Sequence, residues 1–137
     1  RPSDVVARSI DQAFEIELAR LGGDEFTALI VDVERPEDAM AVVNRVQVQM
    51  RAPFKVADRE VLLTASIGIA LFPDDGADAN ALLEHADTAM YHAKEKGRDN
   101  GQFYRAALTE QARQRLALSS SLRLALERGE FHLVYQP

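Results

Sequence analysis

Two adjacent acids, Asp24 and Glu25, directly follow two adjacent glycines, Gly22 and Gly23. Carboxylate oxygens are hard ligands suited to a hard divalent cation such as Mg²⁺, and glycine lets a backbone come close to a phosphate. Phosphoryl-transfer chemistry needs both, because a metal must neutralise the charge of a phosphate tail. An acidic Gly-Gly turn with no ligand accounts for the same four residues, so residue types alone leave the two readings open. Lys94 and Arg98 stand four apart, which puts them on one face of a helix end. Cations in that position suit phosphate oxygens. They equally suit a plain solvated terminus, where they complement the helix dipole.

Other polar groups are better read as structure. His85 and His92 lie seven apart with no third ligand in evident reach, so a metal pair is not expected. Asp74-Asp75-Gly76-Ala77-Asp78 resembles part of a calcium loop but lacks the alternating acids and the terminal Glu, which leaves a turn. No GxxxxGK[ST] or GxGxxG loop is present. The chain has no Cys, which excludes a disulfide framework and a thiolate metal site. No apolar run reaches the ~18–20 residues of a membrane span. The net charge of −6 argues against a binder of nucleic-acid polymers. It leaves room for one nucleotide held by local cations and a metal.

The elements that must position these groups follow from periodicity. Phe26 to Val33 is apolar on both faces, which predicts a central strand, with 16–21 as its hairpin partner and Gly22 to Glu25 as the turn. Pro36 opens a helix whose apolar face is Ala39, Val43, Val46 and Met50, and Pro53 ends it. Phe54 to Val56 and the long run Val61 to Phe72 predict a second hairpin turning at 57–60. In that run Val61, Leu63, Ala65, Ile67, Ile69 and Leu71 share the face expected against helices. The other face, which includes Ser66, Gly68 and Ala70, is mostly small and open to a close approach. Asp78 is placed to cap a helix striped with Leu82, Ala86, Ala89, Met90 and Ala93 and ended by Gly97. A short edge strand at 102–104, a long helix from Ala106 to Arg128 stopped by Gly129, and a strand at 131–135 complete the chain. The order predicts an α+β layer, with helices on one face of a mainly antiparallel sheet.

At Ala19-Arg20-Leu21-Gly22-Gly23-Asp24-Glu25-Phe26 the sequence resembles the GGDEF family, whose domains make cyclic diguanylate from GTP. Ala65-Ser66-Ile67-Gly68-Ile69-Ala70 is similar to that family's long strand. Ala86 to Lys94 with Gly97-Arg98 is similar to its signature helix. The resemblance covers residues 1–104. It implies a nucleotidyl-cyclase-like (ferredoxin-like palm) fold in which two GTP-loaded domains meet as a homodimer and each 3′-hydroxyl attacks the other's α-phosphate. Carried over, Asp24 and Glu25 hold Mg²⁺ or Mn²⁺, and one of them helps to deprotonate the hydroxyl. Gly22 and Gly23 admit the triphosphate, and Lys94 and Arg98 hold its β- and γ-phosphates. Arg1-Pro2-Ser3-Asp4 matches the family's RxxD inhibitory site for cyclic di-GMP, with Arg45 as a second arm; a surface Arg–Asp pair is the competing reading.

Two departures accompany the match. Extra residues, roughly Ser9 to Glu17, separate Asp4 from Gly22, and Val6-Ala7-Arg8 is nearly echoed at Leu18-Ala19-Arg20. The insertion either loops out or displaces the inhibitory site. The family's first strand and following helices, with a further metal-binding Asp and the guanine-recognition residues, are absent. The expected fold is therefore a palm truncated at its N-terminus, and this stretch alone should bind GTP poorly and should not turn over. Both ends read as cuts. Residues 105–129 read as a linker helix, and 130–137, ending Tyr135-Gln136-Pro137, resemble the first strand of an EAL domain. The implied parent is a bacterial GGDEF–EAL signalling protein with a cytoplasmic domain and an upstream part open to membrane anchoring. The resemblance allows a cyclase, or an inactive module that binds GTP or cyclic di-GMP and regulates an attached EAL phosphodiesterase.

Overall fold

The computed structural model describes residues 5–10 and 14–136 and has an α+β fold. The chain divides into two compact units, Arg1–Val61 and Leu62–Pro137.

In the first unit, β1 (Val5–Ile10), β2 (Glu15–Gly22) and β3 (Glu25–Ile30) form an antiparallel sheet in that order. Of the insertion's described residues, Ser9 and Ile10 pair with Ile16 and Glu15 across β1 and β2. The echoed segments lie on these two strands, with Ala7 opposite Leu18 and Arg8 opposite Glu17. The strand expected to be central is an edge strand: among the described residues β3 pairs with β2 alone. Phe26 and Leu29 are more than half exposed. An apolar pattern reports what a strand's faces prefer, not which strands flank it. Helix α1 (Pro36–Met50) has proline at its first position, and Asp38 Oδ2 accepts the Arg35 N–H at 3.0 Å. It buries Ala39, Val42, Val43 and Gln47, a stripe rotated from the expected one, and Val46 is left exposed. β4 (Phe54–Val56) and β5 (Arg59–Val61) form a second hairpin, but its second arm takes up residues 59 and 60 of the expected turn and stops at Val61 instead of starting there.

The second unit is built on a β–α–β crossover. β6 (Ile67–Ile69) and β7 (Gly101–Phe103) are parallel partners, and α2 (Ala79–Glu95) connects them. A parallel pair requires such a crossover, so the expected edge strand is present but runs parallel. The expected long strand is cut to β6, and 62–66 lie outside regular structure. The face that meets α2 is the small one. A Cβ on Gly68 would sit 1.9 Å from the Ala86 carbonyl oxygen and 2.3 Å from the Met90 amide. On the helix side Ala89 and Ala93 are fully buried, so small residues on both elements bring the backbones together. Asp78 caps α2 by accepting the Ala81 N–H at 2.9 Å.

Helix α3 (Ala106–Glu127) buries Leu108 and pairs Arg115 with Glu95 at the end of α2. Its Leu116, Leu118 and Leu126 are exposed. Arg113 and Gln114 hold the carboxyl of Glu110 below the usual carboxylate range. Gly129 ends the helix with a φ of 65°. The strand expected at 131–135 is not formed, and Leu133, Val134 and Tyr135 are almost fully exposed. An apolar run with no neighbouring strand has no ladder to join and no surface to cover it.

Candidate functional site

The acidic residues stand at the tip of the β2–β3 hairpin. Gly22 pairs with Glu25, which leaves Gly23 and Asp24 as the two-residue turn. Gly23 has a φ of 55°, while Asp24 keeps a negative one. A positive φ at the first central position fits the primed turns that match strand twist, and glycine adopts it without steric cost. A Cβ on Gly22 or on Gly23 would meet nothing within 4 Å, so the tip is open on both glycines. The side chains of Asp24 and Glu25 are exposed there.

One supporting residue was not singled out by its sequence position. Arg20 donates from Nε and Nη2 to the Gly23 carbonyl at 3.0 and 2.6 Å. It also lies over the ring of its cross-strand partner Phe26, 5.9 Å from the centroid. A guanidinium fork closing on one turn carbonyl holds the glycine in its left-handed state. The signal available was an Arg three residues before the second glycine and opposite an aromatic.

The basic residues are gathered at the end of α2. Lys94 and Arg98 are exposed and, with Tyr91 and Glu95, line a cavity of about 290 Å³. The helix stops because Gly97 turns left-handed at φ 101°, and Arg98 donates its N–H to the Ala93 carbonyl at 3.1 Å. Both cations line one cavity, but not as neighbours on a helix face: α2 ends at Glu95, and Arg98 lies three residues beyond it, past the left-handed Gly97. Two ammonium- and guanidinium-type donors at one wall are chemically suited to phosphate oxygens.

The remaining expected residues separate. Arg1 and Asp4 lie outside the described residues. Arg45 lines a second, mostly apolar cavity of about 400 Å³ with Ile16, Val42, Val46, Gln49 and Met50. His85 stacks on Tyr104, with centroids 3.9 Å apart, and its Nδ1 meets the Asp75 carbonyl at 2.5 Å. It holds the turn before α2 against the chain after β7, as a structural histidine does. Asp75 accepts the Leu71 N–H at 2.8 Å, so that acidic run is a turn. Among the described residues no three His, Cys, Asp or Glu side chains cluster as a metal centre, and no helix is long and apolar enough to cross a membrane.

The carboxylate pair at the hairpin tip fits Mg²⁺ or Mn²⁺ as part of a ligand set. Such ions are commonly held by one or two carboxylates, with substrate phosphates and water completing the shell. Asp24 and Glu25 supply hard oxygens at an exposed, glycine-opened position.

The model of a family described as diguanylate cyclase, GGDEF domain, matches residues 3–100. The chain is 42% identical over 120 residues to the bifunctional diguanylate cyclase/cyclic di-GMP phosphodiesterase MucR of Pseudomonas aeruginosa, which is 88% of this chain and 17% of MucR. It is 40% identical over 121 residues to the cyclic di-GMP phosphodiesterase PdeR of Escherichia coli, covering 88% of this chain and 18% of PdeR. It thus spans under a fifth of these curated relatives. A solved structure of the GGDEF domain of TpbB (YfiN) from Pseudomonas aeruginosa superposes with a TM-score of 0.69 at 33% identity, over 72% of this chain and 58% of that one.

Proposed function

Because the chain belongs to the GGDEF-domain family of diguanylate cyclases, we propose that the protein carrying it condenses two GTP into cyclic di-GMP and pyrophosphate. The observation that carries this reading is the exposed Asp24–Glu25 pair on a turn that Gly22 and Gly23 leave open. A metal bound there would neutralise phosphate charge and polarise the attacked phosphorus. Asp24 and Glu25 hold it, and one of the two accepts the proton of the 3′-hydroxyl. Lys94 and Arg98 bind the β- and γ-phosphates, which leave as pyrophosphate. The chain's contribution is positioning and charge compensation.

Two GTP-loaded copies must meet as a homodimer, since each supplies one half of the product. Residues 1–104 form the GGDEF part, 105–129 the linker helix, and 130–137 the entry to an EAL domain in the same chain. Arg1, Asp4 and Arg45 form the inhibitory product site.

The test is incubation of the whole protein with GTP and Mg²⁺ and chromatography of the products. Cyclic di-GMP is expected. Arg98→Ala and Lys94→Ala should each raise the KM for GTP about tenfold, the loss of one charge-assisted contact.

A second reading is favoured by the likeness to PdeR, which is named a phosphodiesterase. On that reading the domain binds GTP or cyclic di-GMP and regulates an attached EAL phosphodiesterase. GTP binding without turnover, accompanied by GTP-dependent hydrolysis of cyclic di-GMP, would select it. Absence of both binding and turnover overturns both readings.

A further inference from the structure

Just beyond α2 the backbone adopts a conformation that its residue types resist. Gly97, Arg98 and Asp99 have φ of 101°, 60° and 49° in succession. Glycine enters the left-handed region freely, whereas Arg and Asp enter it against a Cβ clash. Such conformations persist only where the surroundings over-determine them.

The side chain of Asn100 is part of those surroundings. Its Nδ2 donates to the Ala93 carbonyl at 2.9 Å and to the Arg98 carbonyl at 2.8 Å. One amide thereby ties the last full turn of α2 to the left-handed arginine. The amide is oriented from its other end, where Oδ1 accepts from Gln102 Nε2 at 3.0 Å. The Asn100 carbonyl accepts the Ile67 N–H at 3.0 Å, which fixes the backbone against the start of β6. Asn100 is half-buried, whereas Arg98 is exposed and reaches the cavity it shares with Lys94.

We propose that Asn100 is a positioning residue for the phosphate clamp. By pinning Arg98 in the left-handed region it sets the direction in which that side chain leaves the backbone, and so keeps the guanidinium beside Lys94. A right-handed Arg98 projects its side chain along a different line. This rests on the assignment of Lys94 and Arg98 as phosphate ligands.

The test is a double-mutant cycle on the full-length protein. The Kd of a non-hydrolysable GTP analogue with Mg²⁺ is measured by calorimetry for wild type, Asn100→Ala, Arg98→Ala and the double variant. Asn100→Ala should weaken binding about tenfold, and the double variant should bind no more weakly than Arg98→Ala. That lack of additivity is what a merely structural asparagine would not produce. Unchanged binding by Asn100→Ala, or the same loss with Arg98 already removed, overturns the proposal. If Arg98→Ala binds as tightly as wild type, the clamp assignment itself is wrong and the proposal falls with it. Should Asn100→Ala fail to fold, Gln102→Ala, which removes the orienting contact together with the bond that Gln102 Oε1 accepts from Lys96 Nζ at 3.3 Å, takes its place in the cycle. It should weaken binding about threefold when Arg98 is present and not at all when it is absent.

Discussion

On the proposed function, Glu25→Ala is expected to abolish cyclic di-GMP synthesis by the whole protein, lowering kcat/KM by about 10³-fold or more, while the domain stays folded. The two halves of that expectation have separate causes. Glu25 is the first residue of β3, and its backbone makes the closing pair with Gly22. That pair survives truncation to Ala, and an exposed substitution of this kind shifts stability by only about 0.5 kcal/mol. Its carboxylate is one of two at the tip. Removing it halves the hard-ligand set available to a divalent cation, and no neighbouring acid completes a cluster among the described residues. If the carboxylates hold a cation as proposed, its loss would leave the charge on the attacked phosphate uncompensated, and the effect would fall on the chemical step. Chromatographic assay of product, with circular dichroism on the same preparation, checks both halves. A folded Glu25→Ala variant with near-normal turnover would mean that the acidic turn is only a turn.

Gly68→Ala is expected to be the most disruptive small substitution in the second unit. The added methyl would lie 1.9 Å from the Ala86 carbonyl oxygen and 2.3 Å from the Met90 amide nitrogen, both backbone atoms of α2. A flexible side chain could swing away from such a clash, but helix backbone cannot. β6 and α2 must therefore separate, uncovering Ala89 and Ala93, which are fully buried. Overpacking a core costs about 1–3 kcal/mol when side chains can adjust. Here we expect the upper end or beyond, a fall in Tm of roughly 6–12 °C. Gly22→Ala is the control, since a methyl there meets nothing within 4 Å and its φ is not positive. It should leave Tm within a degree or two. Thermal melts of the two variants side by side decide the matter, and equal melting temperatures would show that β6 and α2 are not in such close contact.

Much of the candidate site was legible in the order of residues because it depends on short-range requirements. A Gly-Gly-Asp-Glu turn between apolar runs needs one positive φ, and Gly23 takes it. An aspartate before an apolar helical stripe caps the helix, as Asp78 does, and a glycine after it ends the helix, as Gly97 does. These outcomes are set within a turn or two of chain, where sterics and hydrogen-bond geometry act almost alone.

What tertiary structure decided lies at longer range. Period-two alternation in 61–72 distinguishes two faces but does not say which one a helix will take, and α2 took the small one because only Gly68 admits its backbone. Apolar residues on both sides of β3 did not make it central, and β7 became a parallel partner of β6 because α2 carries the chain across. The run at 131–135 has a strand's composition, yet it is not a strand where nothing pairs with it. Asn100 and Arg20 look like ordinary loop and strand residues until the carbonyls they hold, Ala93, Arg98 and Gly23, are seen in place. Local propensity is a property of each segment, whereas partner, face and register belong to pairs of surfaces and exist only once the chain has brought those surfaces together.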